Sequence, residues 1–136
     1  MDLTAIAREV FLKDRFATEA TGINIAHAGV HESICTLDLT DRHRNARGAA
    51  MGGVMYTLAD FAAAVAANSD DLEDGVLHWV SLDASIHYLS PALGNRLKAT
   101  CKPLKTGRTT ALYQTIVSDA DSDRNIAIVE TTMVRI

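Results

Sequence analysis

Residues 52–68 read Gly-Gly-Val-Met-Tyr-Thr-Leu-Ala-Asp-Phe-Ala-Ala-Ala-Val-Ala-Ala-Asn, and this stretch decides the fold of the chain. Alanine is the best helix former, so its density here predicts one long central helix over about residues 53–68. The six alanines between Ala59 and Ala67 leave little side-chain bulk. Neighbouring backbones can therefore approach closely on several sides, and we expect other elements to wrap this helix.

Segments with the two-residue alternation of β-strands lie on both sides of this helix in the sequence. Ahead of it, an amphipathic helix over about residues 3–16 precedes a hairpin whose strands, 21–25 and 30–39, are joined at Ala28-Gly29. After it, the pattern predicts further strands in meander order, at 77–89, 97–102, 111–118 and 126–136. An α+β fold follows, one domain over residues 1–136, with an antiparallel sheet curled around the central helix.

Composition and charge exclude several classes of protein. Hydrophobic residues make up 48% of the 136 residues and charged residues 22%, values typical of a folded domain rather than a disordered chain. The net charge of -4 gives no general attraction to nucleic acid or to an anionic membrane, so neither is expected as a partner. No apolar run could span a bilayer, and no basic region followed by an apolar run marks a secretory signal, so a cytoplasmic location is expected.

The cysteines and histidines indicate no metal chemistry. Cys35 and Cys101 stand outside any Cys-x-x-Cys spacing and are interpreted as buried, reduced thiols. The five histidines have no ligand spacing with cysteine or with one another. We therefore expect neither a metal site nor a cofactor.

The segment from His43 to Gly53, His-Arg-Asn-Ala-Arg-Gly-Ala-Ala-Met-Gly-Gly, followed by Thr-Leu-Ala-Asp at 57–60, resembles the hotdog-fold acyl-CoA thioesterases. Within them it is most similar to the phenylacetate-pathway thioesterases and the eukaryotic thioesterase superfamily members. Ser-Leu-Asp at 81–83 and Leu-Ser-Pro-Ala at 89–92 lie at fitting distances. The resemblance covers about residues 41–136 and implies a hotdog fold, an acyl-CoA hydrolase and a homodimer with composite sites.

The resemblance also implies catalytic roles for four residues. Asn45 would position the thioester and water, the Gly52 amide would polarise the thioester carbonyl, and Asp60 would be nucleophile or general base, with Ser81 assisting. One departure is Met51, which stands where the family has histidine before Gly-Gly, so one hydrogen bond to the substrate or the loop is missing.

Elementary chemistry supports part of this assignment. The first amides of a helix lack intrahelical partners and lie at the positive end of the helix dipole, so Gly52 and Gly53 offer donors for a developing oxyanion. Asp60 is a poor choice on helix propensity, and it shares a helix face with Gly53, Tyr56, Thr57, Ala64 and Ala67. That face is either solvated or functional.

Geometry then bears on the assembly. Gly53 and Asp60 are seven residues apart, so about 10 Å of helix axis separates them. One helix cannot easily supply both groups to one carbonyl, whereas two antiparallel helices about a two-fold axis can. A homodimer with two composite sites is therefore predicted. Pairing of dimers into a homotetramer, and the choice between a covalent anhydride and an activated water, stay open.

Several residues are candidates for contacts with the CoA and acyl parts of the substrate. Coenzyme A carries phosphates, and cations near them could come from Arg44 and Arg47 or from the basic turn Lys105, Gly107 and Arg108. Gly53, Met51 and Tyr56 are further candidates for substrate contacts. Tyr56, Met55 and Phe61 are candidates for the acyl pocket, although such residues at helical spacing are more often core.

The alternatives to the hydrolase are a binding protein and a hydratase. A non-catalytic acyl-CoA or small-ligand binding protein would keep this scaffold without turnover, and Met51 favours it. A hotdog-fold hydratase would need a histidine near Asp60, and residues 52–68 contain none.

Overall fold

Helix α2, Gly52–Asn68, is the centre of the fold in a computed structural model that describes residues 2–136. The other elements are α1 (Leu3–Phe11), a π-helical turn (Phe16–Thr21), a 3₁₀ turn (Asp41–His43) and six strands: β1 Asn24–Gly29, β2 Glu32–Asp38, β3 Trp79–Tyr88, β4 Arg96–Thr106, β5 Thr110–Asp119 and β6 Asn125–Arg135. All strand pairs are antiparallel, and the curved sheet encloses α2. The predicted hotdog architecture is confirmed, and no helix of residues 2–136 is long and apolar enough to cross a membrane.

The strand order differs from the predicted meander in one place. The sheet runs β1-β2-β4-β5-β6-β3, so β4 to β6 are a meander but β3 pairs with β6 at the far edge. The reason is that α2 follows β2 in the chain and crosses the sheet, so the next strand, β3, begins at the opposite edge. This placement leaves β1 and β3 as the two edges.

Helix α2 is buried as its composition predicts. Five of its alanines are at most 1% exposed, namely Ala59, Ala62, Ala63, Ala66 and Ala67, and Leu58 and Val65 fill the remaining space. Phe61 is also buried and packs edge-to-face on Phe11 of α1, with ring centroids 5.5 Å apart. The predicted open face is confirmed for Gly53 to Ala64, but Ala67 is buried because the sheet closes over the last turn.

The N-terminal region is less regular than predicted. Helix α1 ends at Phe11 rather than near residue 16, and the π-helical turn follows. That turn closes at Gly22, whose φ of 90° suits glycine, so the first strand begins at Asn24 and not at Thr21. The hairpin turns at Val30-His31 instead of Ala28-Gly29, because Gly29 still pairs with Glu32.

Asn68 joins the end of α2 to the start of β3. Its Nδ2 donates to the carbonyls of Ala64 (2.9 Å) and Trp79 (3.1 Å), and its Oδ1 accepts from the amides of His78 and Trp79, both at 3.0 Å. The side chain is 2% exposed. Four hydrogen bonds therefore fix where β3 leaves the helix.

We predict that Asn68→Ala lowers the free energy of unfolding by about 2–4 kcal/mol, because it strands buried backbone groups of two elements. Urea denaturation measures this. Asn24→Ala, at an exposed position of β1, is the control and should change it by less than about 0.5 kcal/mol. Equal effects of the two variants would contradict the role of Asn68.

Candidate active site

The first turn of α2 presents free hydrogen-bond donors. Within residues 2–136 the amides of Gly52 and Gly53 have no acceptor, whereas the next amide, of Val54, donates to the Met51 carbonyl at 2.9 Å. The Met51 side chain makes no capping hydrogen bond. Two donors at the positive end of a 17-residue helix can therefore accept a carbonyl oxygen that gains negative charge.

The loop ahead of the helix is tied internally. The Arg44 guanidinium donates to the carbonyls of Gly48 (3.1 Å) and Gly94 (3.0 Å), and is thus engaged within the fold rather than available for phosphate as expected. The Asn45 Oδ1 accepts from the amides of Arg47 (2.9 Å) and Ala49 (3.2 Å). Its Nδ2 has no partner among the described residues, so it is left to contact a ligand.

His43 connects this loop to the N-terminal segment, a role that sequence reasoning missed although the residue opens the motif. Its Nδ1 lies 3.0 Å from the Thr40 amide and its Nε2 lies 2.7 Å from the Thr21 carbonyl. This pattern requires an unprotonated Nδ1 and a proton on Nε2. In addition, the His43 carbonyl accepts from the Met51 amide at 2.9 Å, so His43 holds the residue that precedes Gly52.

Tyr88 is a second residue that the sequence did not reveal. Its hydroxyl donates to the Gly52 carbonyl at 2.9 Å, and a Cβ placed on Gly52 would lie 2.9 Å from that hydroxyl. A Cβ on Gly53 would meet nothing within 4 Å. Close approach of Tyr88 therefore explains the glycine at 52, while Gly53 faces open space.

Ser81 contacts Asp60 because of an irregularity in β3 that strand alternation does not predict. Regular strand alternation would place Ser81 on one strand face with Asp83, Ser85 and His87. In the structure β3 has a bulge: Ser81 pairs with Met133 and Asp83 with Thr132, so Leu82 is the extra residue. The bulge turns Ser81 towards α2, and its hydroxyl donates to the Asp60 Oδ1 at 3.1 Å.

Burial alters the acidity of Asp60. Desolvation raises the pKa of its carboxyl group above the ordinary value, the Ser81 hydrogen bond opposes this, and the negative charge of Asp14 adds to the rise. The carboxylate is therefore more basic than an exposed aspartate, and it remains partly open on the face of α2. These properties suit a base or a nucleophile.

Two predicted groups lie far from the first turn within one protomer. Asp60 is eight residues from Gly52 on a continuous helix, or about 12 Å along the axis. The turn from Lys105 to Arg108 lies at the other end of α2. The Arg135 amide donates to the Thr109 carbonyl, and Arg135 pairs with Trp79, which is hydrogen-bonded to Asn68 at the end of α2. Gly107 is required there by packing, because a Cβ would lie 2.6 Å from the Thr110 carbonyl oxygen.

Two grooves meet at the first turn of α2. Groove A, about 830 Å³, is lined by the segment 16–22, by part of 38–43, and by Met51, Gly53, Val54 and Thr57. Groove B, about 420 Å³, is lined by Asn45, Arg47, Gly52, Tyr88 and residues 89–91, with Ala49, Ala50 and Met55.

The residues considered for substrate contacts and for the acyl pocket divide between surface and core. Met51 lines groove A and is exposed, whereas Tyr56 is exposed without lining either groove. Met55 and Phe61 are 4% and 2% exposed and belong to the core. Met55 still lines groove B, whereas Phe61 lines neither groove, contrary to its suggested place in an acyl pocket.

The two cysteines are buried thiols of low reactivity. Burial raises the pKa of the Cys35 thiol to about 12 and that of Cys101 to about 11, so both are protonated at neutral pH.

Within residues 2–136, one group of side chains of the metal-ligating types lies close together. It consists of Asp71, Asp74 and His78, in and after the link that follows α2. The His78 Nε2 lies 3.6 Å from both carboxylates, which is the geometry of His–Asp ion pairs.

Comparison with known proteins gives a consistent family. Residues 47–125 match the family model described as the thioesterase superfamily. Human acyl-coenzyme A thioesterase 13 is 32% identical over 106 residues, which cover 77% of this chain and 74% of that protein.

Two solved structures share the fold. The PaaI protein from the phenylacetic acid degradation operon of E. coli superposes with a TM-score of 0.86 at 24% identity, covering 99% of this chain and 96% of that one. The smu.793 protein from Streptococcus mutans, in a structure bound to acetyl CoA, gives a TM-score of 0.73 at 25% identity, covering 84% and 88%.

The raised pKa of Asp60 predicts how stability depends on pH. Below the unfolded-state pKa, about 3.9, the carboxyl is protonated in both states and burial costs little; above the folded-state pKa it is charged in both, and only the folded state carries the desolvation cost. Asp60→Asn removes that cost and keeps an acceptor for Ser81. The free energy of unfolding of Asp60→Asn minus that of the wild type should therefore be larger at pH 7 than at pH 3, so the variant gains stability relative to the wild type as the pH rises.

Urea denaturation at both pH values checks this prediction. Asp83→Asn removes an exposed carboxylate of β3, the strand that carries Ser81, and controls for the loss of one negative charge. A relative stability of Asp60→Asn that falls between pH 3 and pH 7 would contradict the desolvation argument.

Proposed function

The chain belongs to the thioesterase superfamily, and from that premise we propose that it hydrolyses acyl-CoA to a carboxylic acid and free CoA. The observation that carries the proposal is the open face of α2, which combines two amides without acceptors at Gly52 and Gly53 with the half-buried carboxylate of Asp60. Acyl-CoA as the substrate is supported by the name of the human relative and by the acetyl CoA bound to the streptococcal structure.

The proposed chemistry needs a donor for the oxyanion and a carboxylate that acts as base or nucleophile. The thioester oxygen accepts from the Gly52 amide, which stabilises the charge that develops as the carbonyl carbon is attacked. In one mechanism the Asp60 carboxylate takes a proton from a water that attacks the carbonyl carbon. In the other the carboxylate attacks the carbonyl carbon and forms an anhydride, which water then cleaves. In both cases a C–O bond replaces the C–S bond, one water is consumed, and the sulfur leaves as thiolate.

Two side chains assist in this proposal. Ser81 holds the Asp60 carboxylate through its 3.1 Å hydrogen bond, and is a positioning residue. The free Nδ2 of Asn45 offers a donor to the substrate or the water beside Gly52.

We propose further that two copies build each site. About 12 Å of helix separates Gly52 from Asp60, whereas a nucleophile must stand about 3–3.5 Å from the carbonyl carbon. An antiparallel pair of α2 helices about a two-fold axis would bring Gly52 of one copy to Asp60 of the other, with Tyr56 midway. The exposed face of α2 and the free edge of β3 are surfaces on which a second copy can pack.

The same arrangement bears on the basic turn. Within one copy, about 24 Å of helix separates Gly52 from Asn68, at the end where the Lys105–Arg108 turn lies. In the antiparallel pair, the turn of the second copy approaches Gly52 of the first. Lys105 and Arg108 are therefore proposed to contact the CoA bound at the other copy's site, and Gly107 to shape that turn.

A binding protein without turnover is the second candidate, and Met51 favours it. Its side chain is 57% exposed beside Gly53 and carries no hydrogen-bond donor, where the family has histidine. Substrate could then bind without one contact that assists the reaction.

Thiol release from a panel of acyl-CoA thioesters, short, medium, long and aromatic, tests the enzyme. We expect turnover by the wild type and a decrease in kcat of about 10²–10⁴-fold for Asp60→Asn and Asp60→Ala. Asp83→Asn is the matched control and should retain activity. Acyl-CoA binding without thiol release from any member would select the binding protein instead, and full activity of Asp60→Ala would remove Asp60 from the mechanism.

Substitutions at Gly52 test the oxyanion donor. Proline suits the first helical position, and Met51, with ψ of 140°, already has the conformation that precedes proline, so Gly52→Pro deletes the N–H with little strain on the helix. Gly52→Ala places the same Cβ against Tyr88 but keeps the N–H. We expect kcat of Gly52→Pro to fall about 10²–10³-fold below that of Gly52→Ala. Similar values for both would exclude this amide as the donor.

Mixing these variants tests the composite site. In a randomised mixture of Gly52→Pro and Asp60→Asn dimers, about half of the dimers are mixed and each has one intact site, so activity should recover to about a quarter of wild type. No recovery, with mixed dimers confirmed by mass spectrometry, would place both groups of a site in one copy.

A further inference from the structure

Groove A has the features of an acyl site rather than a nucleotide site. It begins at Gly53, next to the proposed oxyanion donor, and its volume of about 830 Å³ is that of a small-ligand pocket. Phe16 and Met51 line it while 67% and 57% exposed, and Val54 and Ala20 add apolar surface. Large apolar side chains left open in a concave site gain most from an apolar ligand.

The charges around groove A disfavour the phosphates of CoA. Its lining carries the carboxylates of Glu19, Asp38 and Asp41 and one arginine, Arg42. Two of the carboxylates have cationic partners, Arg15 at 2.9 Å and Arg96 at 3.4 Å, but neither partner lines the groove. A polyphosphate in this groove would meet three acidic side chains and one basic side chain.

Groove B has the opposite character. Arg47 is the one charged side chain among its lining residues, it is exposed, and it makes no ion pair within residues 2–136. Gly52 and Asn45 also line groove B, so the two grooves meet at the first two residues of α2. A thioester held at these amides has one end in each groove.

The wall of groove A formed by residues 16–22 is fixed in place. The Thr21 carbonyl accepts from the His43 Nε2 at 2.7 Å, and the π-helical turn is closed by bonds from the amides of Gly22 (3.1 Å) and Ile23 (2.9 Å) to the Ala17 carbonyl. The turn that follows α1 therefore forms a rigid side of the groove, and Phe16 stands at its start.

We infer that the acyl group of the substrate occupies groove A, where Phe16 sets its chain-length preference, while the CoA phosphates leave through groove B past Arg47. The inference rests on the proposed function and adds the direction in which the substrate lies. It assigns specificity for an apolar acyl group to the N-terminal turn, outside the motif that carries the catalytic groups.

Two substitutions and two kinds of thioester test this direction. Substrates are acetyl and octanoyl thioesters, each as the CoA ester and as the N-acetylcysteamine ester, which has the thioester but no phosphates. Phe16→Ala should lower kcat/KM about tenfold for both octanoyl esters and leave both acetyl esters within about twofold. Arg47→Gln should raise KM about five- to tenfold for both CoA esters and leave both N-acetylcysteamine esters unchanged.

Val30→Ala is the matched control, because it truncates an apolar side chain that is 59% exposed and lines neither groove. Loss of activity on acetyl and octanoyl esters alike in Phe16→Ala, no loss on either, or an Arg47→Gln effect that follows the acyl chain would each overturn the inference while leaving the hydrolase standing. A wild type that cleaves other members of the acyl-CoA panel but none of these four thioesters would overturn the inference alone. A wild type that cleaves none of the four and no other member of the panel would overturn the proposed function and this inference with it.

Discussion

Close packing of an alanine-rich helix against a curved sheet is the constraint on which the rest of the structure depends. Five alanines of α2 are buried, and the strands can reach the helix because these side chains are small. Larger residues at those positions would overpack the interior. The helix is therefore held on all sides but one, and that remaining face carries Gly53, Tyr56, Thr57, Asp60 and Ala64.

The groups on this face are set by departures from regular structure. A bulge in β3 turns Ser81 towards Asp60 on α2, and a π-helical turn brings Phe16 to the groove beside Gly53. The motif loop is fixed by Arg44 and His43 to elements far away in sequence. Each irregularity interrupts a regular element and thereby orients one side chain, as bulges and π-helical turns commonly do near functional sites.

Burial of Asp60 links stability to chemistry. The same desolvation that raises the pKa of this carboxyl group disfavours its charged form in the folded state. Ser81 compensates in part and also restricts the orientation of the carboxylate. A neutral residue here would suit the fold better, and an aspartate at this position fits the reactive role that we propose for it.

The sequence by itself determined the central helix, its open face as far as Ala64, the antiparallel strands and the motif from His43 to Asp60, because these are local properties of period, propensity and spacing. Tertiary structure alone decided that β3 pairs with β6, that Ser81 turns towards Asp60, and that Met55 and Phe61 are core. It also decided that Arg44 is engaged within the fold and that His43 and Tyr88 hold the start of the helix. The physical reason is that strand pairing, bulges and buried hydrogen bonds depend on partners distant in sequence, to which a local pattern carries no reference.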